Sequence, residues 1–514
     1  MRSGFKNVFI FTVIFMLIFC RSGSLFASGA VSNSDDAKPL FLAHYMPWYQ
    51  TPSVTGYWGY HWTMNHFDPD KKDENGKREI ASVYYPLTGP YDSMDKDVLE
   101  YQVLLMKLSG IDGVLVDWYG IEDFWDYAVL NESTHAIFET VKKAGLLFSL
   151  VYEDQTVKHM VNNGFISKNG AIAHGKEVMA YIEENWSGTD TYLHLNNRPV
   201  LLTFGPQYFF NSSDWESMFA GLSVQPLFFT LDNRLSPVAA GAYPWPPMWK
   251  SNSSGLLTQN ALNDYLDSFY QKAAGWDYLI TSAFPGFDDI YKEAGVGDGY
   301  GYLDPKNGYT FRSTLQRAVA KDPDVIQLVT WNDYGEGTII EPTEEFEYLY
   351  LEIMQETRAS KDPGFVFQKG DLLLPLQIYN MRKQYPDDNE VNSVLDSVFD
   401  LIISSQIDSA KQLLDSAAGL PGNRNTAVSF VLEQNYPNPF NPATRIRYRI
   451  YEPSVIDISV YNTRGQRVDK LVSGYKNKGE YTFIWDGGGY PSGLYFYRLT
   501  AGEDFVVKKC LRLK

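Results

Sequence analysis

A chain of 514 residues exceeds one average domain and sets the expectation at two or three. Hydrophobic residues at 44% and charged residues at 21% are ordinary globular composition, which excludes wholesale disorder, collagen-like repeats and a multi-span membrane protein. A net charge of −18 argues against nucleic acid as a partner, and two cysteines exclude a disulfide framework and a cysteine-based zinc site.

Met1-Arg2-Ser3-Gly4-Phe5-Lys6 precedes an apolar run over 8–19, too short to span a membrane comfortably and of the form of a secretory signal. Ser28-Gly29-Ala30 supplies a small-x-Ala cleavage pattern, so 1–30 is predicted to be a signal peptide. After its removal no transmembrane span is expected, and Cys510 is the one cysteine left.

Over 38–385, near-continuous apolar runs alternate with amphipathic segments. The runs are 41–46, 113–118, 146–152, 200–204, 227–231, 240–245, 278–284 and 325–331, the sixth weakened by Gly241 and Pro244. Helices are predicted between them, for example over 95–108 and 134–144, each ending before a glycine (Gly110, Gly145) suited to a C-cap. Eight such runs predict an α/β fold, a (β/α)8 TIM barrel. An open doubly wound sheet is the alternative, but no Gly-x-Gly-x-x-Gly follows any strand.

Chemistry in such a barrel sits at the C-terminal ends of the strands. Those ends carry His44, Tyr45 and Trp48; Asp117, Trp118 and Tyr119; Tyr152, Glu153 and Asp154; Gln207; Asp232 and Asn233; Tyr243 and Trp245; Phe287, Asp288 and Asp289; and Asn332, Asp333 and Glu336. A single Asp or Asn there is more often a turn or helix cap. Recurrence at all eight ends, in a chain with 36 Tyr and 12 Trp, instead predicts a ring of acceptors and flat apolar faces for a sugar. His44, Tyr45, Trp48, Asp117, Trp118, Tyr119, Tyr152, Glu153, Trp331 and Asn332 are the expected substrate contacts. The aromatic insertion 56–66 reads as a lid or subsite wall. Its His61 and His66, five apart, do not match a helical zinc pair, and no metal or cofactor is expected. Asp288-Asp289 suits a cation or a sugar hydroxyl equally.

The densest constellation is Thr330-Trp331-Asn332-Asp333-Tyr334-Gly335-Glu336-Gly337-Thr338-Ile339-Ile340-Glu341-Pro342. Two carboxylates three residues apart follow the last strand, on a turn that Gly335 and Gly337 permit. Glycoside cleavage needs an acid for the leaving oxygen and a second carboxylate as base or nucleophile. Neighbouring carboxylates in a partly dry site repel, so one keeps its proton near neutrality. Asp333 and Glu336 are therefore the candidate catalytic pair; a Gly-Asp turn with a solvated Glu is the bland alternative.

Together with Ala43-His44-Tyr45-Met46-Pro47-Trp48-Tyr49 and Gly113-Val114-Leu115-Val116-Asp117-Trp118-Tyr119, this string resembles glycoside hydrolase families 71 and 99 from about Pro39 to Glu356. The resemblance implies a (β/α)8 barrel that cleaves α-linked polysaccharide, α-1,3-glucan in the first family and α-mannan or glucosyl-mannose branches in the second. It implies a base at Asp333, acting on the sugar 2-hydroxyl in family 99, and an acid at Glu336. The sequence departs from family 99 by carrying Asp at position 333, as family 71 does, while Gly337-Thr338 and Glu341-Pro342 follow family 99. A side chain one methylene shorter holds its carboxylate about 1 to 1.5 Å further from the sugar. That leaves room for a water and leans toward inversion.

Residues 386–422 are predicted to be a helical spacer: Val391, Val394, Leu395, Val398, Phe399, Leu401 and Ile402 recur at helical spacing, with Ile407, Ala410, Leu413 and Leu414 beyond. Pro421-Gly422-Asn423 then breaks the pattern. From 429 to 514 the charge changes sign, with 13 Lys and Arg against 8 Asp and Glu. Alternating runs at 446–450, 456–461, 481–485 and 493–499, parted by turn clusters such as Arg464-Gly465 and Gly487-Gly488-Gly489, predict an antiparallel β-sandwich. Leu432-Glu433-Gln434-Asn435-Tyr436-Pro437-Asn438-Pro439-Phe440-Asn441-Pro442, Tyr461-Asn462-Thr463-Arg464-Gly465 and Gly493-Leu494-Tyr495-Phe496-Tyr497-Arg498 resemble the type A sorting domain of the type IX secretion system. The resemblance implies the type IX machinery as a partner of 429–514, a Bacteroidota-like bacterium, and export through the periplasm to the outer-membrane surface or the medium.

The sequence thus points to a secreted, endo-acting glycoside hydrolase whose partner is a polysaccharide or oligosaccharide. The competing class is a non-catalytic glycan-binding surface protein, which would not require a paired acid and base. A peptidase or esterase fails for want of Gly-x-Ser-x-Gly, His-Glu-x-x-His or a body cysteine.

Overall fold

The computed structural model describes residues 30–31, 39–74, 76–417, 430–451, 453–462, 466–501 and 504–513. The predicted leader up to residue 29, the Pro421-Gly422-Asn423 break and the turn at Arg464-Gly465 lie outside the described residues.

Eight parallel strands form the body. They are β1 (Leu40–Tyr45), β2 (Gly113–Trp118), β3 (Leu147–Tyr152), β4 (Arg198–Thr203), β5 (Leu227–Leu231), β6 (Gly241–Tyr243), β7 (Ile280–Ala283) and β8 (Val325–Leu328). Successive strands pair from β1 through β6, β7 pairs β8, and β8 returns to β1, as a barrel requires. The one missing ladder is between β6 and β7. Pro244, directly after β6, has no N–H to donate, and the Ser282 hydroxyl on β7 donates to its carbonyl instead at 2.8 Å. Leu42, Leu115, Val151, Leu202, Phe229, Ala242 and Phe284 are buried together in one cluster, so the barrel is filled, not hollow.

Helices such as Lys96–Ser109, Tyr127–Lys143, Gln259–Ala273 and Leu349–Lys361 surround it. Asp95 caps the first by accepting from Asp97 N at 3.0 Å, and Gly110 ends it in the left-handed region, φ 81°. The helix expected at 134–144 starts earlier, at Tyr127, because Tyr127, Leu130 and Ser133 continue the buried stripe N-terminally. Ala30–Val31 pairs in parallel with His194–Leu195.

The described residues divide into two compact units. One runs to Gln384 and includes Ile402–Ser405; the other takes Tyr385–Leu401 and everything from Gln406. The second holds the helix Asn389–Ile403 up to Leu401 and the helix Ile407–Ala417, with Val391, Leu395, Val398, Phe399, Ala410 and Leu414 buried. It also holds seven antiparallel strands in two sheets: β11 (Phe430–Leu432), β12 (Ala443–Ile450) and β15 (Gly479–Asp486) against β13 (Ser454–Asn462), β14 (Arg467–Lys476), β16 (Gly493–Ala501) and β17 (Asp504–Arg512). The hairpin strands β9 (Asn332–Asp333) and β10 (Thr338–Ile339) belong to the first unit. Ile446, Tyr448 and Ile450 face the sandwich core while Arg445, Arg447 and Arg449 face solvent, the period-2 pattern of a half-buried strand. Cys510 is buried and free. No helix among the described residues is long and apolar enough to cross a membrane.

Candidate active site

The chain leaves β8 into a tight hairpin, with β9 (Asn332–Asp333) antiparallel to β10 (Thr338–Ile339) and Asp333 opposite Thr338. Gly337 sits at φ 63°, and a Cβ there would stand 2.5 Å from the Asp288 carbonyl, so only glycine closes this turn. Asp288 N donates to Glu336 O at 2.9 Å and Ile290 N to Gly335 O at 3.0 Å, which ties the hairpin to the loop after β7. Asp333 Oδ1 accepts from Glu336 N at 3.0 Å, and Asp333 N donates to Thr330 Oγ1 at 2.8 Å.

On its other side the hairpin is held by a buried polar network. Asn332 exchanges hydrogen bonds with Met46, accepting from its N at 2.8 Å and donating to its O at 3.0 Å. Tyr49 OH donates to Asn332 O at 2.8 Å and accepts from Tyr334 N at 3.0 Å. Behind them, Glu341 accepts from Tyr91 OH and Tyr334 OH, both at 2.8 Å, and from Gln102 Nε2 at 2.7 Å. Burial raises the Glu341 carboxyl to about 7, against the lowering effect of these donors. Its place in the sequence motif is visible, as is Tyr334 seven residues before it, but Tyr91 and Gln102 come from segments some 240 to 250 residues away.

Asp333 and Glu336 face a cavity of about 290 Å³ over the C-terminal end of the barrel. Its floor is His44, Asp117, Glu153, Phe204 and Trp245; its walls are Met46, Trp48, Tyr60, His61, Met64, Tyr119, Gln207, Tyr291 and Tyr300. His61 stacks on Trp48, ring centroids 4.2 Å apart and planes 6° from parallel, so the 56–66 insertion does form a wall. Larger openings of about 690 and 460 Å³ lie elsewhere on the barrel, but neither is lined by this carboxylate pair.

Of the expected contacts, His44, Trp48, Asp117, Tyr119, Glu153, Asp333 and Glu336 share the cavity. Tyr45, Trp118, Tyr152, Trp331 and Asn332 do not line it. Alternation along each strand explains the first three: His44 and Asp117 point into the barrel, so Tyr45 and Trp118 point at the helices. Tyr45 OH donates to Gln102 at 2.8 Å; Trp118 lies parallel to Tyr181 and donates to Asn131 at 3.0 Å; Tyr152 packs against Trp118 and Trp215. Trp331 is fully buried, and Asn332 is committed to pinning the hairpin. Asp154 is likewise structural, accepting backbone N–H groups of Gln207, Tyr208 and Phe209, each at 2.8 Å.

Tyr291 escaped the sequence reading. Asp289, two residues before it, accepts from Tyr291 N at 3.1 Å and Tyr300 N at 2.7 Å, folding the loop so that Tyr291 OH donates to Glu336 Oε1 at 3.5 Å. The one available signal was Asp289 itself, a carboxylate two residues before a tyrosine in a Gly-rich loop.

Four carboxyls therefore line one cavity, Asp117 and Asp333 buried and Glu153 and Glu336 half-buried. Burial, then the charges of Asp333, Asp289 and Glu153, holds the Glu336 proton well above the usual carboxylate range, while Tyr291 partly offsets this. Asp333 is also raised by burial, but the N–H groups of Glu336 and Gly335 stabilise its charge and it reaches about 7. Glu153 reaches about 7 through burial as well; Asp117 is pushed well above its range by burial and by Glu153, to which it is hydrogen-bonded. One carboxyl keeps its proton while its neighbour, three residues away, can release one. That arrangement can donate a proton on one side of a bond and accept one on the other.

Residues 434–512 match the family described as the secretion system C-terminal sorting domain, so the tail is such a domain. The barrel is similar to the glycoprotein endo-alpha-1,2-mannosidase-like protein of Danio rerio, 23% identical over 361 residues, covering 62% of this chain and 76% of that one. It is similar also to the glycoprotein endo-alpha-1,2-mannosidase of Mus musculus, 21% identical over 378 residues, covering 63% and 74%. A solved GH99 endo-alpha-mannosidase from Bacteroides thetaiotaomicron aligns at 19% identity and a TM-score of 0.48, over 62% of this chain and 97% of that one.

Proposed function

We propose that this protein is a secreted glycoside hydrolase, endo-acting on an α-mannan-type glycan. Glu336 protonates the departing glycosidic oxygen, and Asp333 serves as the base, taking a proton from a water or from the sugar's own 2-hydroxyl. The observation that carries the reading is the pair itself: two carboxyls in one cavity, Asp333 buried and Glu336 half-buried, the second held protonated by desolvation and its acidic neighbours and the first supplied with N–H donors that favour its charge. The aromatic walls suit the flat apolar faces of sugar rings. The α-mannan preference draws on the named activity of relatives that are 21 to 23% identical. The sorting domain carries the enzyme out by the type IX route.

Purified barrel is incubated with α-mannan, α-1,3-glucan and other bacterial and algal polysaccharides, and the products are sized. Oligosaccharides released from the interior of α-mannan are the expected result. Binding without cleavage of any of them would replace the enzyme by a glycan-binding protein on a barrel scaffold.

A further inference from the structure

The cavity floor is chemically divided. Phe204 and Trp245 make an apolar half, packed edge to face at 4.8 Å. His44 stands with its edge toward Trp245 at 4.9 Å and begins a polar half with Asp117 and Glu153. Beneath it, Gln327 on β8 places Nε2 at 2.7 Å from His44 Nδ1, and both side chains are fully buried. Burial lowers the His44 imidazole to about 3, so the ring is neutral and carries a single proton. With the Gln327 amide donating to Nδ1, that proton is on Nε2.

His44 Nε2 has no partner in the protein, although it is enclosed. The same holds for Asp117 Oδ1 on the neighbouring strand, whose carboxyl is otherwise engaged with Glu153. Buried polar atoms are nearly always paired, and these two, with Trp48 Nε1 as a third on the same cavity lining, point to a ligand that pairs them. A sugar ring is amphipathic in the matching way: a C–H face for Trp245 and Phe204, and a hydroxyl edge that both donates and accepts.

We infer that His44 Nε2–H and Asp117 Oδ1 together read a hydroxyl on the edge of the sugar seated over Trp245, and that Gln327 positions His44 by fixing its tautomer. The hydroxyl accepts from His44 and donates to Asp117, so a ring lacking it leaves both groups unpaired. The inference rests on the glycosidase reading and deepens it to a determinant of sugar specificity.

The test is a substrate-deletion cycle with α-1,2-mannotetraose and its monodeoxy analogues. His44→Phe alone strands the Gln327 amide, so the double variant His44→Phe/Gln327→Leu, which removes both partners, accompanies it. Both are expected to lose about 10- to 100-fold in kcat/KM on the intact sugar and almost nothing on one deoxy analogue, the one lacking the hydroxyl that is read. Equal losses on every analogue would overturn the inference and reduce His44 to a packing residue. Nitrogen-15 NMR of His44 supplies an independent readout: a proton on Nε2 is expected, and one on Nδ1 overturns the donor role. Wild-type protein that neither cleaves nor binds the tetrasaccharide overturns the glycosidase reading; cleavage that ignores His44 overturns this inference alone.

Discussion

Glu336→Gln preserves side-chain volume and removes the proposed proton donor. A positioned general acid contributes roughly 10²- to 10⁴-fold, which is about 3 to 5.5 kcal/mol of barrier. The site argues for a loss of that order on a mannan, because Asp333, the other carboxyl on the hairpin, gives up its proton near 7 and serves as the base in this reading. An aryl mannoside, whose leaving group departs without a proton, should lose less than about tenfold. The pH profile carries the sign. Asp333 must be ionised, and it sits near 7, so activity rises with pH through that region. Glu336 must be protonated, and burial with its acidic neighbours holds its proton to higher pH, so activity falls beyond. In Glu336→Gln the rising limb stays and the falling limb disappears. Steady-state kinetics on mannan and on the aryl mannoside across pH provide the measurement. A falling limb that survives the substitution, or equal losses on both substrates, would refute the acid assignment.

Asp333→Asn should abolish turnover yet stabilise the fold at alkaline pH. A carboxyl raised from 3.8 to about 7 on folding loses stability as pH climbs between those values, so the variant should gain up to about 4 kcal/mol at pH 8 and little at pH 4 in urea titrations. Tyr291→Phe removes a donor that favours ionised Glu336, so the alkaline limb should move to higher pH; a downward shift in the kinetic profile would contradict the contact. A chain ending at residue 422 should be soluble and active on oligosaccharide, while deletion of 429–514 in the native host should leave activity in the periplasm; cell-fractionation assays decide. Hydrolysis of an α-linked substrate should release the β-anomer first by proton NMR, and α-anomer first would replace water by the 2-hydroxyl as the group on which Asp333 acts.

The eight strands were legible because a fully buried parallel strand must be apolar along its whole length, and turn residues bound each run. Only β6 was weak, and there Pro244 does leave the barrel without a ladder. Asp333 and Glu336 were legible for a related reason: their spacing, with Gly335 and Gly337, is local, and the hairpin follows from it. Which face of a strand a residue occupies was a different matter. His44 and Tyr45 are adjacent in the chain, yet one lines the cavity and the other bonds to Gln102 outside the barrel. The same one-residue step separates Asp117 from Trp118. Tyr291, Gln327 and Glu341 matter through partners brought together by folding, from segments 45 to 283 residues apart. Proton states were decided later still. A carboxylate's charge depends on how much water and which charges surround it, and those are properties of the packed cavity, not of any stretch of chain.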